Sequence, residues 1–158
     1  MIFFDGTHIK TKYKSTMLVA TGIDAKGYPL AFGAVRSESI STCNWFMELF
    51  KQTFDINGVY IILSDRQNGL MDAIEGVFAE GIHQEFCINH LADNVFKHGD
   101  ALAVNWLWQL TKIKTVEEFI CKMEKCRNKC SKVADYLSKF PVEYWADHAF
   151  PEKSRRQY

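Results

Sequence analysis

Neither sign of charge prevails in this chain, in which nineteen lysines and arginines stand against nineteen aspartates and glutamates. With no net field to gather a polyanion, any contact with nucleic acid has to come from local patches. Long apolar runs are lacking as well. The apolar part of the amino-terminal stretch Met1 to Lys10 is too short for a secretory signal, and no later run reaches the roughly 20 residues that a bilayer demands. A soluble intracellular protein without a membrane partner is expected. Prolines number only three, and no repeat or low-complexity segment interrupts the chain. The five cysteines, Cys43, Cys87, Cys121, Cys126 and Cys130, are an odd set without the even spacing of a small secreted framework. Reduced thiols are therefore expected rather than disulfides, with metal binding open to some of them.

What the chain does have is apolar material: 47% hydrophobic and 14% aromatic residues in 158 positions. That is enough for one substantial core and hardly for two, so one α/β unit with an appendage is expected. Ile2 to Phe4 are strand formers ending at Asp5-Gly6. Thr16 to Ile23 and Tyr28 to Val35 are two further strands, joined by the turn Asp24-Ala25-Lys26-Gly27. Cys43, Phe46, Met47, Phe50 and Phe54 recur at helical spacing behind the candidate caps Ser39 and Ser41. After Asn57-Gly58, the unbroken apolar run Val59 to Leu63 predicts a strand buried on both faces. A helix over Gly69 to Phe78, a strand over Ile82 to Ile88 and a helix over Asn89 to Lys97 complete the order βββαβαβα. Beyond Ala101 the patterns are helical throughout, in ALAVNWLWQL, in VEEFICKMEKC with its continuation through DYLSKF, and in VEYWADHAF. Pro141 is the clearest breaker among them.

The order βββαβαβα is that of a ribonuclease H-like mixed sheet, although many α/β domains begin in the same way. More telling, the first and fourth strands each deliver an aspartate, Asp5 in FFDGTH and Asp65 in ILSDRQNGL. In a ribonuclease H-like sheet these strands are neighbours. Paired carboxylates repel and prefer to share a proton or a cation, and hard oxygen donors suit Mg²⁺ or Mn²⁺. Such a pair can support two-metal phosphoryl transfer on a phosphodiester. From the residues alone a plainer alternative stays open, in which Asp5 starts a turn at Gly6 and Asp65 caps the following helix.

The words DGTHIKTKY, YPLAFGAV, SDRQNGL, HQEFCINHL and PVEYWA, in that order and spacing, resemble Mutator-like (MULE) DNA transposases over nearly the whole chain. This resemblance implies a ribonuclease H-like core over residues 1–98 and an all-helical insertion over 99–158. The implied function is metal-dependent DNA strand cleavage and transfer in the nucleus, on transposon ends and target DNA, with homo-oligomers in a full-length protein. Asp5 and Asp65 correspond to the first two acids of the family's catalytic triad, and the third is a glutamate expected beyond Tyr158. The chain alone is therefore expected to be inactive. Glu117, Glu118, Glu124, Glu143 and Glu152 fall inside the insertion and are not assigned to the triad. The family's Cys-x-x-His word is Cys87-Ile88-Asn89-His90, half of a tetrahedral Zn²⁺ site, with His98, Cys121, Cys126 or Cys130 as conceivable partners. A buried thiol and a positioned imidazole are the alternative.

His8 and Arg66 are candidate DNA contacts, against a solvent-facing imidazole and a guanidinium paired with a carboxylate. Asp24 is read as a turn residue. Trp106, Trp108 and Trp145 are read as core of the helical region, with base stacking as the other possibility. Lys122, Lys125, Arg127, Lys129 and Lys132, followed by Lys153, Arg155 and Arg156, form a solvated face or a DNA-backbone contact. Two other functions compete. One is a non-catalytic DNA-binding regulator of the kind derived from plant MULE transposases. The other is a cellular ribonuclease H or exonuclease, which needs neither the Cys87/His90 word nor the long helical insertion.

Overall fold

The computed structural model describes residues 1–10, 12, 14–22, 27–54, 60–66, 68–78, 81–99 and 101–150. These fall into two compact units, Met1–Glu85 and Phe86–Tyr158.

The first unit is built on the strands β1 (Ile2–Ile9), β2 (Ser15–Gly22), β3 (Tyr28–Val35), β4 (Tyr60–Ser64) and β5 (Ile82–Phe86), in sheet order β3-β2-β1-β4-β5. β1 pairs antiparallel with β2 and β2 antiparallel with β3, whereas β1 and β4 run parallel. The fold is therefore an α/β mixed sheet. β1 runs on through Asp5-Gly6 to Ile9, where the sequence predicts a stop. Every residue from Ile2 to Ile9 has a partner on β2, out to Ile9 opposite Ser15, and this continuous ladder outweighs the local turn preference of Asp-Gly. Gly27, at φ 62°, occupies the left-handed region that favours glycine and leads into β3. Residues 24–26 of that turn and the Asn57-Gly58 break lie outside the described residues.

Helix α1 (Ile40–Phe54) starts as its sequence predicts. The Ser39 hydroxyl accepts the Thr42 N–H at 3.3 Å, and the Ser39 N–H donates to the Thr42 hydroxyl at 3.0 Å, a reciprocal cap. Cys43, Phe46, Met47 and Phe50 form the buried stripe, while Phe54, expected on it, is largely exposed. Helix α2 (Asn68–Val77) adds Leu70, Ala73 and Ile74 to a core that includes Phe4, Leu18, Ala20 and Ile62 from the strands. The rings of Phe46 and Phe50 meet that of Phe4 edge-on, with centroids 6.2 and 5.2 Å away. β4 is less symmetric than its unbroken apolar sequence predicts. Ile62 and Ser64 are fully buried, whereas Ile61 and Leu63 on the other face are only half-buried.

The second unit is helical among its described residues: α3 (Ile88–His98), α4 (Ala101–Thr111), α5 (Val116–Lys129) and α6 (Ser131–Leu137), then two short 3₁₀ turns over Val142–Tyr144 and Asp147–Ala149. Thr115 caps α5, its side chain accepting the Glu118 N–H. Glu117 and Glu118 occupy its first turn and Arg127 and Lys129 its last, matching the helix dipole. The expected continuation into DYLSKF breaks at Cys130, whose φ of −143° and ψ of 61° end one helix and begin the next. VEYWADHAF, whose pattern predicts a helix, forms the two 3₁₀ turns instead. Trp145, Ala146 and Asp147 are consecutive and all buried, an arrangement that a helix with only one face turned inward cannot give. Trp106 and Trp145 belong to this unit's buried set, as the core reading expects, together with Leu107, Leu110, Phe119 and Leu137.

Candidate functional site

Sheet register decides where the two aspartates go. β1 and β4 are parallel, with Phe4 opposite Ser64, so Asp5 and Asp65 are the next residues along two adjacent strands. Alternation puts Asp5 on the face of Phe3, away from the buried ring of Phe4. Each carboxylate is then fixed by the next amide in the chain. Asp5 Oδ1 accepts the Gly6 N–H at 2.9 Å, and Asp65 Oδ1 accepts the Arg66 N–H at 2.6 Å. Each bond is to the amide of the next residue, and Asp65 precedes α2 by three residues.

A further carboxylate packs against Gly6. β3 runs in the same direction as β1 and β4, so the segment leading from its end into α1 lies at the carboxyl ends of these strands. Glu38 belongs to that segment and sits over Gly6. A Cβ built on Gly6 would be 2.5 Å from Glu38 Oε2 and 2.8 Å from its Cδ. Burial raises the Glu38 carboxyl above its ordinary range, the charge of Asp5 raises it further, His8 pulls it down, and Asp65 adds a further upward push. Asp5, His8 and Asp65 are thus each within electrostatic reach of Glu38.

His8 is exposed and shares a 3.3 Å hydrogen bond with the Thr16 hydroxyl. Arg66 is half-buried beside Asp65. Among the described residues, no three His, Cys, Asp or Glu side chains are drawn tightly enough around one point to hold an ion. In kind, the carboxylate oxygens of Asp5 and Asp65, carried at the ends of adjacent strands, are donors that suit a hard divalent cation.

Cys87 and His90 lie elsewhere in the chain, in the second unit. Cys87 is the residue before α3, and His90 stands in the first turn of that helix, both partly buried. His98 packs its ring 4.4 Å from that of Tyr136. Cys121 is exposed on α5 and Cys126 buried, its thiol pushed up to about 11 by burial and then by Cys130.

Residues 1–94, more than half of the chain, match the model of the MULE transposase domain. The chain belongs to the MULE transposase family. No curated protein matches it. The matched stretch contains Asp5, Asp65, Cys87 and His90, and also Glu38. Sequence reasoning passed over Glu38 because it sought a third acid beyond the helical region. One signal was legible, an acid just ahead of a serine-capped helix that follows the third strand, but its approach to Gly6 depends on the tertiary path of the chain.

Proposed function

We propose that this MULE-family domain performs metal-dependent DNA strand cleavage and transfer, with Asp5 and Asp65 as its first two catalytic acids. The reading also takes the sheet to be ribonuclease H-like, which its strand order and its parallel β1–β4 pair support. The observation that carries it is the register that makes Asp5 and Asp65 neighbours at the carboxyl ends of adjacent parallel strands, within the stretch matching the transposase domain. Crevices at the carboxyl ends of strands, where the chain's order across the sheet reverses, are where open α/β sheets bind their ligands.

Asp5 and Asp65 would hold Mg²⁺ or Mn²⁺. Bound there, the cation supplies Lewis-acid stabilisation of the charge that develops on phosphodiester oxygens during in-line transfer. The chain's own contribution is positioning. The Gly6 and Arg66 amides orient the two carboxylates, and the sheet fixes their separation. Arg66, beside Asp65, offers a guanidinium suited to a DNA phosphate, and His8 an imidazole on the neighbouring strand. With no net charge on the protein, DNA affinity at this site depends on the cation offsetting the carboxylates.

Fluorescence anisotropy of a labelled duplex bearing a 3′-hydroxyl end tests the reading. Ca²⁺ or Mn²⁺ is expected to tighten binding by the wild-type chain, and Asp5→Asn or Asp65→Asn to abolish that increment. Binding that ignores both the cation and the substitutions sinks the proposal.

A further inference from the structure

We infer that the second unit binds an unpaired DNA strand along α4 and α5, with one base stacked on Trp108 in the cleft between these helices and the phosphates running over Lys122, Lys125, Lys129 and Lys132. The choice of DNA as the nucleic acid rests on the function proposed above. The site itself is built from other residues than Asp5 and Asp65 and needs no divalent cation.

The cleft encloses about 850 Å³ and is formed within this unit, room enough for a nucleotide. α4 turns Ala103, Trp106, Leu107 and Leu110 inward. Asn105, Trp108, Gln109 and Lys112 recur at helical spacing on its other side, and all four line the cleft. Trp108 is only half-buried. Its ring therefore belongs to a cleft wall, although its sequence pattern reads as core. The amides of Asn105 and Gln109 are side chains that hydrogen-bond base edges. On the α5 side Lys122 and Lys125 complete the wall. Lys122 is steadied by the buried ring of Trp106, with Nζ 5.0 Å from its centroid.

A second cavity, of about 260 Å³, lies further along the same helix. Lys129 lines it together with Lys132, Ser131 and the exposed imidazole of His98. Lys122, Lys125 and Lys129 stand at i, i+3 and i+7 on α5, so they form one stripe leading from the first cavity to the second. At about 1.5 Å per residue the stripe is roughly 10 Å long, the reach of about three phosphates at the roughly 3.4 Å axial spacing of one strand.

This pairing of features selects the ligand. A row of ammonium groups follows a phosphate backbone without regard to sequence, and an aromatic ring at its side takes a base. A duplex cannot use the ring, because its bases keep their faces stacked on one another. Glu117 and Glu118 line the cleft in the first turn of α5. They repel phosphate from that end and leave the stretch toward Lys129 as the path of the backbone.

The experiment is fluorescence anisotropy of a short labelled oligothymidylate with the 158-residue chain in EDTA, where the cation-dependent binding proposed for Asp5 and Asp65 cannot contribute. Wild-type affinity is expected to fall with salt at a log–log slope of about −3, from the four lysines at about 0.7 each. Trp108→Ala is expected to weaken binding at least about fivefold, the low end for loss of one stacked base, and Trp108→Phe to retain it. Lys125→Gln combined with Lys129→Gln should reduce the slope by about 1.4. The bound strand should also slow alkylation of Cys121, an exposed thiol in the cleft wall. Amide spectra report that each variant is folded. The inference is overturned by a wild-type chain that binds no strand in EDTA, by Trp108→Ala or the lysine pair binding like wild type, or by a Cys121 that reacts equally fast with and without the strand. None of these outcomes touches the duplex binding promoted by Ca²⁺ or Mn²⁺, and loss of that increment alone leaves this site standing.

Discussion

Phe4 fastens the strand that carries Asp5, and truncating it should loosen the first unit more than any surface change. Its ring is fully buried, edge-on to Phe46 and Phe50 and tilted against Phe78 at 6.2 Å. Phe4→Ala removes the ring from a core made by β1, β2, β4, α1 and α2 and leaves a cavity among other large side chains that cannot all collapse into it. Such truncations cost about 3–5 kcal/mol. Phe4→Leu keeps much of the volume but loses the two edge-to-face pairs, each worth about 0.5–1.5 kcal/mol, so about 1–3 kcal/mol is expected for it. With a urea dependence of about 1–3 kcal/mol per molar, Phe4→Ala should lower the unfolding midpoint by at least about 1 M. Tryptophan emission is a poor probe, because three of the four tryptophans lie outside this unit. Hydrogen exchange of the β1 and β2 amides with increasing urea reads the unit directly, and the order should be wild type, Phe4→Leu, Phe4→Ala. A Phe4→Ala midpoint within about 0.3 M of wild type would refute the placement of β1 in this core.

Three further expectations follow from the second unit and the thiols. Asp147 is fully buried, with Oδ2 2.6 Å from Lys114 Nζ, while the lysine side chain is 52% exposed. Lys114→Met strands that carboxylate, and after allowance for water around the lysine the loss should be about 2 kcal/mol, read as a lower melting temperature. Lys114→Met paired with Asp147→Asn should recover part of it. His148 stacks on Phe119 at 4.2 Å, and burial holds its imidazole below the ordinary range, with Asp147 pulling it back up. Because its folded pKa is depressed, the neutral ring contributes stability above the unfolded value of about 6.5, and that stability is lost as pH falls through the folded value. His148→Phe should therefore flatten the stability profile over that window in pH-dependent melts. Among the thiols, Cys121 is exposed, whereas burial pushes both Cys43 and Cys126 up to about 11. Iodoacetamide at neutral pH should mark Cys121 ahead of those two, as peptide mass mapping can show, and equal labelling of all three in the folded chain would contradict their burial.

Much of this architecture was legible in residue patterns, for reasons that are local. The stripe Cys43, Phe46, Met47, Phe50 follows the helical period, and Ser39 is a side chain that caps, so α1 begins where its sequence predicts. Tyr28–Val35 is the strand expected, with the same ends. Failures arose where partners at a distance overrode local preference. The ladder to β2 carries β1 past Asp5-Gly6, and the buried run Trp145–Asp147 turns a helix-like sequence into 3₁₀ turns. For the candidate site, the aspartates were legible because each follows a short apolar run. Glu38 was not, because nothing in its neighbours' periodicity reports a close approach to Gly6, more than thirty residues earlier in the chain.

The most direct test of the central claim is a two-dimensional amide spectrum of the isotope-labelled chain titrated with substoichiometric Mn²⁺, whose paramagnetism broadens nearby resonances. The account predicts that Gly6 and Arg66, whose amides hold the two carboxylates, broaden together and first, and that Asp5→Asn removes the effect at both. Broadening that begins instead at Cys87 and His90, or at Glu117 and Glu118, would contradict it.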